Sequence, residues 1–324
     1  MSSSSTVVIA FMVTSHTLQK AIIQEIVNYL GLPRSAYRRK LAEILLKLPA
    51  ARCAKMATDF DHQVGASGFC EASRWLLPKI VKGYWVAGVE HIPSTGPLII
   101  AANHPGIFDT FLIAGCLLRN DIKIIAREMP LLHLLGSTDH YLIYSTRDIY
   151  VKMKAARDAI RHLHAGGVLL VYPSGTLDPD PACMPGAVQS VEAWSASLEL
   201  LLRSEPAARL QVAISSGLVN PKYLRHPLAR LQKDSHWSQI VAEVLQVSSQ
   251  ALFRKKHGLL PEITFGEPYS LHQLTSNDRT PIAGAIEAGR KCLLLHTCML
   301  SKSVRFPGGL RSSQQISEYY SADA

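Results

Sequence analysis

Seven short apolar runs between Tyr84 and Phe265 constrain the fold of this chain more than any other feature. Each run is four to six residues long, and segments with helical periodicity separate most of them. Apolar strands that alternate with helices are typical of an α/β domain. We therefore predict a mixed, largely parallel sheet of about seven strands flanked by helices. The predicted strands are Tyr84–Val89, Leu98–Ala102, Ile122–Ala126, Tyr141–Tyr144, Val168–Tyr172, Leu210–Ile214 and Glu262–Phe265.

The two ends of the chain depart from this central pattern. Apolar residues recur at helical spacing from residue 15 to about residue 75, with an interruption at Gly31-Leu32-Pro33. We predict a helical segment at 1–75, an α/β domain at 76–300 and a polar tail at 301–324. The second predicted helix has an apolar face that we expect to pack against the main domain rather than a membrane, formed by Tyr37, Leu41, Ile44, Leu45 and Leu48.

Charge and hydropathy limit the possible partners and the location. Lys and Arg exceed Asp and Glu by 34 to 25, which gives a net charge of +9. Such an excess favours anionic partners such as phospholipid headgroups, phosphorylated substrates or nucleic acid. Nucleic acid is the least favoured, because the basic residues are dispersed and no stacking-aromatic motif accompanies them. The chain has no apolar run long enough to span a bilayer, and Thr6–Val13 lacks the features of a signal peptide. We predict a cytoplasmic protein that is peripheral to the membrane.

The six cysteines are scattered along the chain without a Cys-x-x-Cys pair. This distribution predicts reduced, mostly buried thiols. Cys292, His296 and Cys298 are close in sequence, but they lie in a leucine-rich helical segment without a fourth ligand at zinc-like spacing. We therefore expect them to pack in the core, and we predict neither a metal nor a cofactor.

The strongest candidate site follows the second predicted strand, at Asn103-His104-Pro105-Gly106-Ile107-Phe108-Asp109. A neutral imidazole can take a proton from a hydroxyl near pH 7, and a carboxylate on its other nitrogen fixes the tautomer. In a continuous helix His104 and Asp109 would point about 140° apart. Pro105 moves His104 out of the helical region and Gly106 permits a sharp change of direction. We therefore expect Asp109, in the first turn of the next helix, to fold back under His104.

Two further segments lie where other walls of this site are expected. Arg147 follows a strand and precedes a helix, and its guanidinium suits a phosphate. The fifth strand ends in the turn Tyr172-Pro173-Ser174-Gly175-Thr176, where glycine lets backbone approach a ligand closely. From these residues alone, Arg147 is equally well explained as a surface ion-pair partner.

In order and spacing, these segments resemble the glycerolipid acyltransferase superfamily, which includes the 1-acylglycerol-3-phosphate and glycerol-3-phosphate acyltransferases of phospholipid biosynthesis. The Asn-His-x4-Asp block of the family matches Asn103 to Asp109. A block that ends in Arg matches Ile143 to Arg147, and Phe-Pro-Glu-Gly-Thr matches Tyr172 to Thr176. The resemblance spans about residues 82–220, and several blocks in the right order are more specific than any one of them.

The resemblance implies an acyl transfer from acyl-CoA or acyl-carrier protein to a hydroxyl of a lysophospholipid or similar acceptor. His104 would be the general base and Asp109 would orient it. Arg147 would bind the phosphate of the acceptor, and the Gly175 and Thr176 region would position the acceptor or the oxyanion. Asn103 and Ser174 complete the predicted substrate-binding set.

Two departures from the family pattern concern the acceptor. Ser174 stands where the family has Glu, and Leu177 where it often has Arg. Asp178 or Asp180 could supply a carboxylate instead, but acids followed by Pro in a loop are more often solvated turn residues. Ser174 therefore leaves two alternatives open: a lipid-binding homologue without turnover, and a serine hydrolase that uses Ser174, His104 and Asp109. The hydrolase lacks the Gly-x-Ser-x-Gly elbow.

Membrane contact is expected, because the products of such a reaction would be lipids. The candidate contacts are the segment from Arg74 to Trp85 and the basic surface in general, which can bind anionic headgroups. Simple packing of Trp75 and Trp85 between the helices and the sheet explains the segment equally well.

Overall fold

The structure is a computed structural model that describes residues 2–29, 36–232, 234–253 and 258–302. Its strands are β1 (Trp85–Ala87), β2 (Leu98–Ala102), β3 (Ile122–Arg127), β4 (Leu142–Ser145), β5 (Val168–Val171), β6 (Arg209–Ser216) and β7 (Glu262–Phe265). The longer helices are α1 (Ser2–Tyr29), α2 (Ala36–Ser67), α3 (Phe69–Ile80), α4 (Asp109–Gly115), α6 (Ile149–His164), α7 (Ala187–Glu192), α8 (Ser197–Ser204), α11 (Ser235–Phe253) and α13 (Pro281–Lys302). The single-turn helices are α5 (Gly136–Asp139), α9 (Pro221–Leu224), α10 (Pro227–Arg230) and α12 (Leu271–Leu274).

The seven strands form one mixed sheet in the order β1-β7-β6-β2-β5-β3-β4. The five strands from β6 to β4 in this order are mutually parallel, whereas β7 is antiparallel to β6 and parallel to β1. The predicted fold class is confirmed. Loops that follow β2, β5 and β6 emerge side by side at one edge of the sheet, where ligands bind in folds of this kind. The predicted catalytic loop follows β2, which lies between β5 and β6.

Helices cover both faces of the central strands. Leu98, Ile100 and Ala102 of β2 pack with residues of α3 and α4 on one face. Ile99 and Ala101 point the opposite way and pack with residues of α6, α8 and α13. Because successive residues of a strand face opposite sides, a strand covered on both faces is apolar throughout. This is why β2 and β5 are continuous apolar runs in the sequence.

Cys292 and His296 of α13 lie in this core as expected, whereas the expectation is wrong for Cys298, which is exposed. Nδ1 of His296 is 2.8 Å from the Thr264 hydroxyl and its Nε2 is 2.7 Å from the Ser216 hydroxyl. Burial lowers the pKa of His296 to about 4, because a buried imidazole loses the hydration of its charged form. No group of three His, Cys, Asp or Glu side chains suited to a metal is found within the described ranges.

The N-terminal helices differ from the sequence prediction in two ways. Helix α1 begins at Ser2 instead of near residue 15. The predicted packing of the α2 apolar face is wrong for its described members, since Leu41, Ile44, Leu45 and Leu48 are exposed by 47 to 68%. Tyr37 lies outside the residues whose side chains are described. Two turns of α2 therefore present a stripe of large apolar side chains to solvent.

The segment from Arg74 to Trp85 is mostly inside the protein. Leu76, Leu77 and Ile80 of α3 are buried in the core, and the Arg74 guanidinium donates to the Leu117 carbonyl oxygen. Packing, rather than membrane contact, therefore explains these apolar residues. Helix α3 runs across the predicted boundary at residue 75, and the predicted segment limits stay predictions. The predicted polar tail lies outside the described residues from 303 onward.

A separate observation concerns membrane spans. Within the described parts of the chain, no helix has both the length and the apolar character needed to cross a bilayer.

Candidate active site

Asn103 fixes the start of the loop that follows β2. Its amide nitrogen donates to the Ser215 carbonyl oxygen at 2.9 Å, and its amide oxygen accepts from the Ser215 backbone nitrogen at 2.8 Å. Because β2 and β6 are neighbouring parallel strands, this pair ties their carboxyl ends together. The Asn103 side chain is buried and both its amide atoms bind Ser215. In this arrangement Asn103 supports the loop, and its predicted contact with a substrate stays a prediction.

His104 and Asp109 meet, as the break at Pro105-Gly106 predicts. Nδ1 of His104 lies 2.7 Å from Oδ2 of Asp109. The carboxylate is fully buried at the first position of α4, whereas the imidazole is 31% exposed. Among the described residues, no protein group binds Nε2 of His104. A carboxylate on Nδ1 leaves Nε2 as the proton acceptor, and this nitrogen is open to a ligand.

Gly106 lies close to a carboxylate of α11. Its φ is not in the left-handed region, so the change of direction at this position does not depend on a backbone angle that favours glycine. A Cβ at this position would lie 2.8 Å from Oε1 of Glu243, which is closer than real Cβ contacts allow. Glycine therefore lets the carboxylate of α11 approach the catalytic loop.

Two hydroxyl groups hold the other oxygen of Asp109. Tyr172 donates to Oδ1 at 2.9 Å, Thr110 lies 3.3 Å from the same oxygen, and the two hydroxyls are 2.7 Å apart. Burial and the nearby Asp109 charge raise the pKa of Tyr172 well above its usual value, so the phenol stays protonated and donates. The ring of Tyr172 also packs 4.4 Å from that of His104. Sequence reasoning missed this role, although Tyr in place of the family's Phe was a visible signal.

The polar groups of the turn after β5 form hydrogen bonds within the turn itself. Gly175 has φ +70°, and its backbone nitrogen donates to the Tyr172 carbonyl oxygen at 3.0 Å. A Cβ on Gly175 would meet nothing within 4 Å, so the left-handed angle, and not close approach of backbone, favours glycine. The Ser174 hydroxyl donates to the Thr176 carbonyl oxygen at 3.1 Å, and the Thr176 side chain is exposed beside it.

Arg147 lies far from His104 along the edge of the sheet where the parallel strands end. It follows β4, which is three strand positions from β2, a separation of about 14 Å at the usual spacing of about 4.8 Å. Its guanidinium is exposed and makes no ion pair or hydrogen bond with any described residue. A surface ion pair, the simple alternative for this residue, is therefore absent from the part of the chain that the structure describes.

A family comparison agrees with this geometry. The model of the acyltransferase family matches residues 84–197, which include the His104–Asp109 pair, Arg147 and the turn at Ser174. This segment is similar to an acyltransferase domain. The crystal structure of the 1-acyl-sn-glycerophosphate (LPA) acyltransferase PlsC from Thermotoga maritima is similar to the chain, at 16% sequence identity and a TM-score of 0.42. The similarity covers 91% of this chain and 97% of that chain. No curated protein sequence matches the chain.

Two buried acids hold the loop that follows β2, which carries His104, and the loop that follows β6. Oδ2 of Asp178 accepts from the backbone nitrogen of His104 at 2.7 Å, and the backbone nitrogen of Asp178 donates to the His104 carbonyl oxygen at 2.7 Å. Asp180 accepts from four backbone nitrogens at 2.9 to 3.0 Å, those of Ala182, Gly217, Leu218 and Val219. The expectation of solvated turn residues is therefore wrong. Because both carboxylates bind backbone groups, neither replaces the family's Glu toward an acceptor.

The electrostatic environment of His104 favours its protonated form. Burial alone lowers the pKa of the imidazole, but the carboxylates of Asp109, Glu243 and Asp178 outweigh it and raise the pKa to about 9. Burial also raises the pKa of Glu243 to about 7. The imidazole therefore lies among carboxylates that favour its charged form, and its neutral, proton-accepting form becomes more abundant as the pH rises.

Proposed function

We propose that this chain is an O-acyltransferase that moves a fatty acyl group from acyl-CoA or acyl-carrier protein to a hydroxyl of a lysophospholipid or glycerol-phosphate-like acceptor. The observation that supports this proposal most directly is the state of the His104 ring. Nδ1 is engaged by a buried carboxylate, while Nε2 has no partner among the described residues. This is the arrangement that a general base toward an external hydroxyl requires.

The proposed reaction needs one base and no acyl-enzyme. Nε2 of neutral His104 takes the proton of the acceptor hydroxyl as its oxygen attacks the thioester carbonyl carbon. The tetrahedral intermediate then expels the thiolate, which takes the proton from the imidazolium. Asp109 stabilises the imidazolium while it exists, and Tyr172 keeps the Asp109 carboxylate oriented.

The acceptor is proposed to bind across the catalytic edge of the sheet. Arg147 is an exposed cation without an ion pair in the described chain, and a guanidinium binds a phosphate with two hydrogen bonds. Ser174 offers a hydroxyl where the family has a carboxylate, so the glycerol part of the acceptor is held by a neutral group. These features favour an acceptor with a phosphate and at least one free hydroxyl.

The first experiment measures thiol release from palmitoyl-CoA with and without a panel of lysophospholipids and glycerol 3-phosphate. We expect acceptor-dependent thiol release and an acylated product by mass spectrometry. The matched control is His104→Ala, which should show only background. Binding of lipid without thiol release for any acceptor would instead support the homologue without turnover.

The same assay tests the serine hydrolase alternative. A hydrolase would release thiol at the same rate without acceptor and would lose this activity in Ser174→Ala. The Ser174 hydroxyl donates to the Thr176 carbonyl oxygen, and no hydrogen bond joins it to His104 among the described contacts. This geometry favours the transferase, for which Ser174→Ala keeps acceptor-dependent release.

The membrane surface is the proposed partner of the exposed face of α2. Leu41, Ile44, Leu45 and Leu48 form an apolar stripe, and Lys40 and Lys47 are exposed beside it. An apolar helix face with flanking lysines suits the boundary between acyl chains and anionic headgroups. We propose that the protein is peripheral to a membrane on its cytoplasmic side and binds through this stripe.

Liposome sedimentation tests this contact. Replacing both Ile44 and Leu45 with Glu is expected to weaken binding to phosphatidylglycerol-containing vesicles at least about 10-fold, because burial of one such side chain contributes about 1.5–3 kcal/mol. Leu200→Glu is the control, since Leu200 is similarly exposed on α8. Equal binding of the double variant and the control would rule out the stripe as the contact.

A further inference from the structure

Helix α11 contacts the catalytic loop on both sides of Gly106. Oε1 of Glu243 accepts a hydrogen bond from the backbone nitrogen of Ile107. One turn earlier on the same helix, the amide of Gln239 donates to the Pro105 carbonyl oxygen at 2.9 Å and to the Asp178 carbonyl oxygen at 2.7 Å. Residues i and i+4 lie on one face of a helix, so a single face of α11 holds this loop.

The catalytic loop is shaped to admit the Glu243 carboxylate. A side chain at Gly106 would place its Cβ 2.8 Å from Oε1 of Glu243, so the carboxylate would have to move away from its present position. Glu243 lies outside the segment 84–197 that matches the acyltransferase family. The backbone nitrogen of Ile107 therefore has a hydrogen-bond acceptor that comes from α11, a helix outside the matched segment.

We propose that Glu243 is a positioning residue for His104: its carboxylate fixes the loop at Ile107 and maintains a negative charge beside the imidazole. The inference rests on the proposed role of His104 as the base. Three carboxylates act on the charge of the imidazole, those of Asp109 from α4, Asp178 from the loop after β5 and Glu243 from α11. The ring of Tyr172, from the same loop as Asp178, packs against the imidazole. Asp109 stabilises the imidazolium directly, and Glu243 adds a second charge from an independent element.

Two substitutions separate the charge of Glu243 from its hydrogen bond. Glu243→Gln keeps an oxygen for the Ile107 backbone nitrogen but removes the charge, whereas Glu243→Ala removes both. The matched control is Glu287→Gln on α13, where the carboxylate faces Lys291 and is not among the groups that shift the pKa of His104. The His104 imidazole is titrated by NMR, with its resonance assigned by its loss in His104→Ala, and kcat and KM are measured from pH 6 to pH 10.

We expect the His104 titration midpoint to fall by about 1 pH unit in Glu243→Gln and to stay unchanged in Glu287→Gln. Because neutral His104 is the active form, the rate of Glu243→Gln should rise at lower pH than that of the wild type. At pH 8, where most of the Glu243 carboxylate is ionised, the gain should be about twofold, since the weaker base offsets part of the larger neutral fraction. Glu243→Ala should show the same midpoint with a plateau kcat at least about 10-fold below that of Glu243→Gln.

Two results would overturn the inference. One is a His104 midpoint in Glu243→Gln that equals the wild-type value, and the other is an equal plateau kcat in the Gln and Ala variants. The NMR titration does not depend on turnover. A lowered midpoint in a protein that transfers no acyl group would therefore support the charge effect of Glu243 while contradicting the proposed function.

Discussion

Replacing Asp109 with Asn is expected to lower kcat for acyl transfer by about 10³- to 10⁴-fold, because the imidazole loses the carboxylate that fixes its tautomer and stabilises its charge. Oδ2 of Asp109 faces His104 and the Gly106 backbone nitrogen, and Oδ1 faces Tyr172 and Thr110. All four groups donate hydrogen bonds to the carboxylate. An amide in either orientation would place its own N–H donors against the donors on one side. Toward His104 it would also favour the tautomer that has its proton on Nε2, which cannot act as the base.

The measurement is thiol release in the presence of the best acceptor, together with circular dichroism and thermal unfolding to establish that the variant is folded. Asp148→Asn is the matched control, because Asp148 is an exposed acid that caps α6 away from the imidazole. We expect the control to retain most of its activity. A folded Asp109→Asn variant with activity within about tenfold of the wild type would contradict the proposed role of the carboxylate.

Replacing Asp180 with Ala is expected to reduce the free energy of unfolding by at least about 3 kcal/mol, since each buried backbone N–H left without a partner costs about 1–3 kcal/mol. The carboxylate is fully buried and accepts four backbone hydrogen bonds. Three of them come from Gly217, Leu218 and Val219, directly after β6. Asp180 therefore joins the loop that follows β5 to the end of β6, and its loss affects both walls of the site.

Urea unfolding of the wild type and of Asp180→Ala measures this change in the free energy of unfolding. Asp148→Ala is again the control, because its carboxylate accepts two backbone hydrogen bonds in solvent, and loss of such a cap costs about 1 kcal/mol. If the two variants lose the same stability, burial of the Asp180 carboxylate is not the dominant effect. A lower acyltransferase activity in folded Asp180→Ala would show that the loop junction also supports the site.

The order of secondary structure was predictable because it depends on local patterns. Buried strands such as β2 and β5 are continuous apolar runs, and the Pro105-Gly106 break has a direct geometric effect on the five-residue spacing from His104 to Asp109. The match of the central segment to the acyltransferase family model was also predictable, since three blocks occur there in order. These features need no knowledge of contacts between distant parts of the chain.

The other contacts depend on tertiary packing. Asp178 and Asp180 are followed by Pro and resemble solvated turn residues, but the loops after β2 and β6 fold over them and supply backbone donors. Glu243 belongs to no motif, and only the packing of α11 brings it to the catalytic loop. The same limitation applies to α2, because helical periodicity identifies an apolar face without indicating what covers it.

The reversed direction of β1 and β7 also has a practical consequence. Since β1 is antiparallel to β2, the connection between them lies at the sheet edge opposite to His104. Ser94, Thr95 and Gly96 are exposed in this connection, and a Cβ at Gly96 would meet nothing within 4 Å. This loop is a suitable attachment point for a fluorophore or an affinity tag, because a probe there lies at the edge of the sheet opposite to the candidate active site.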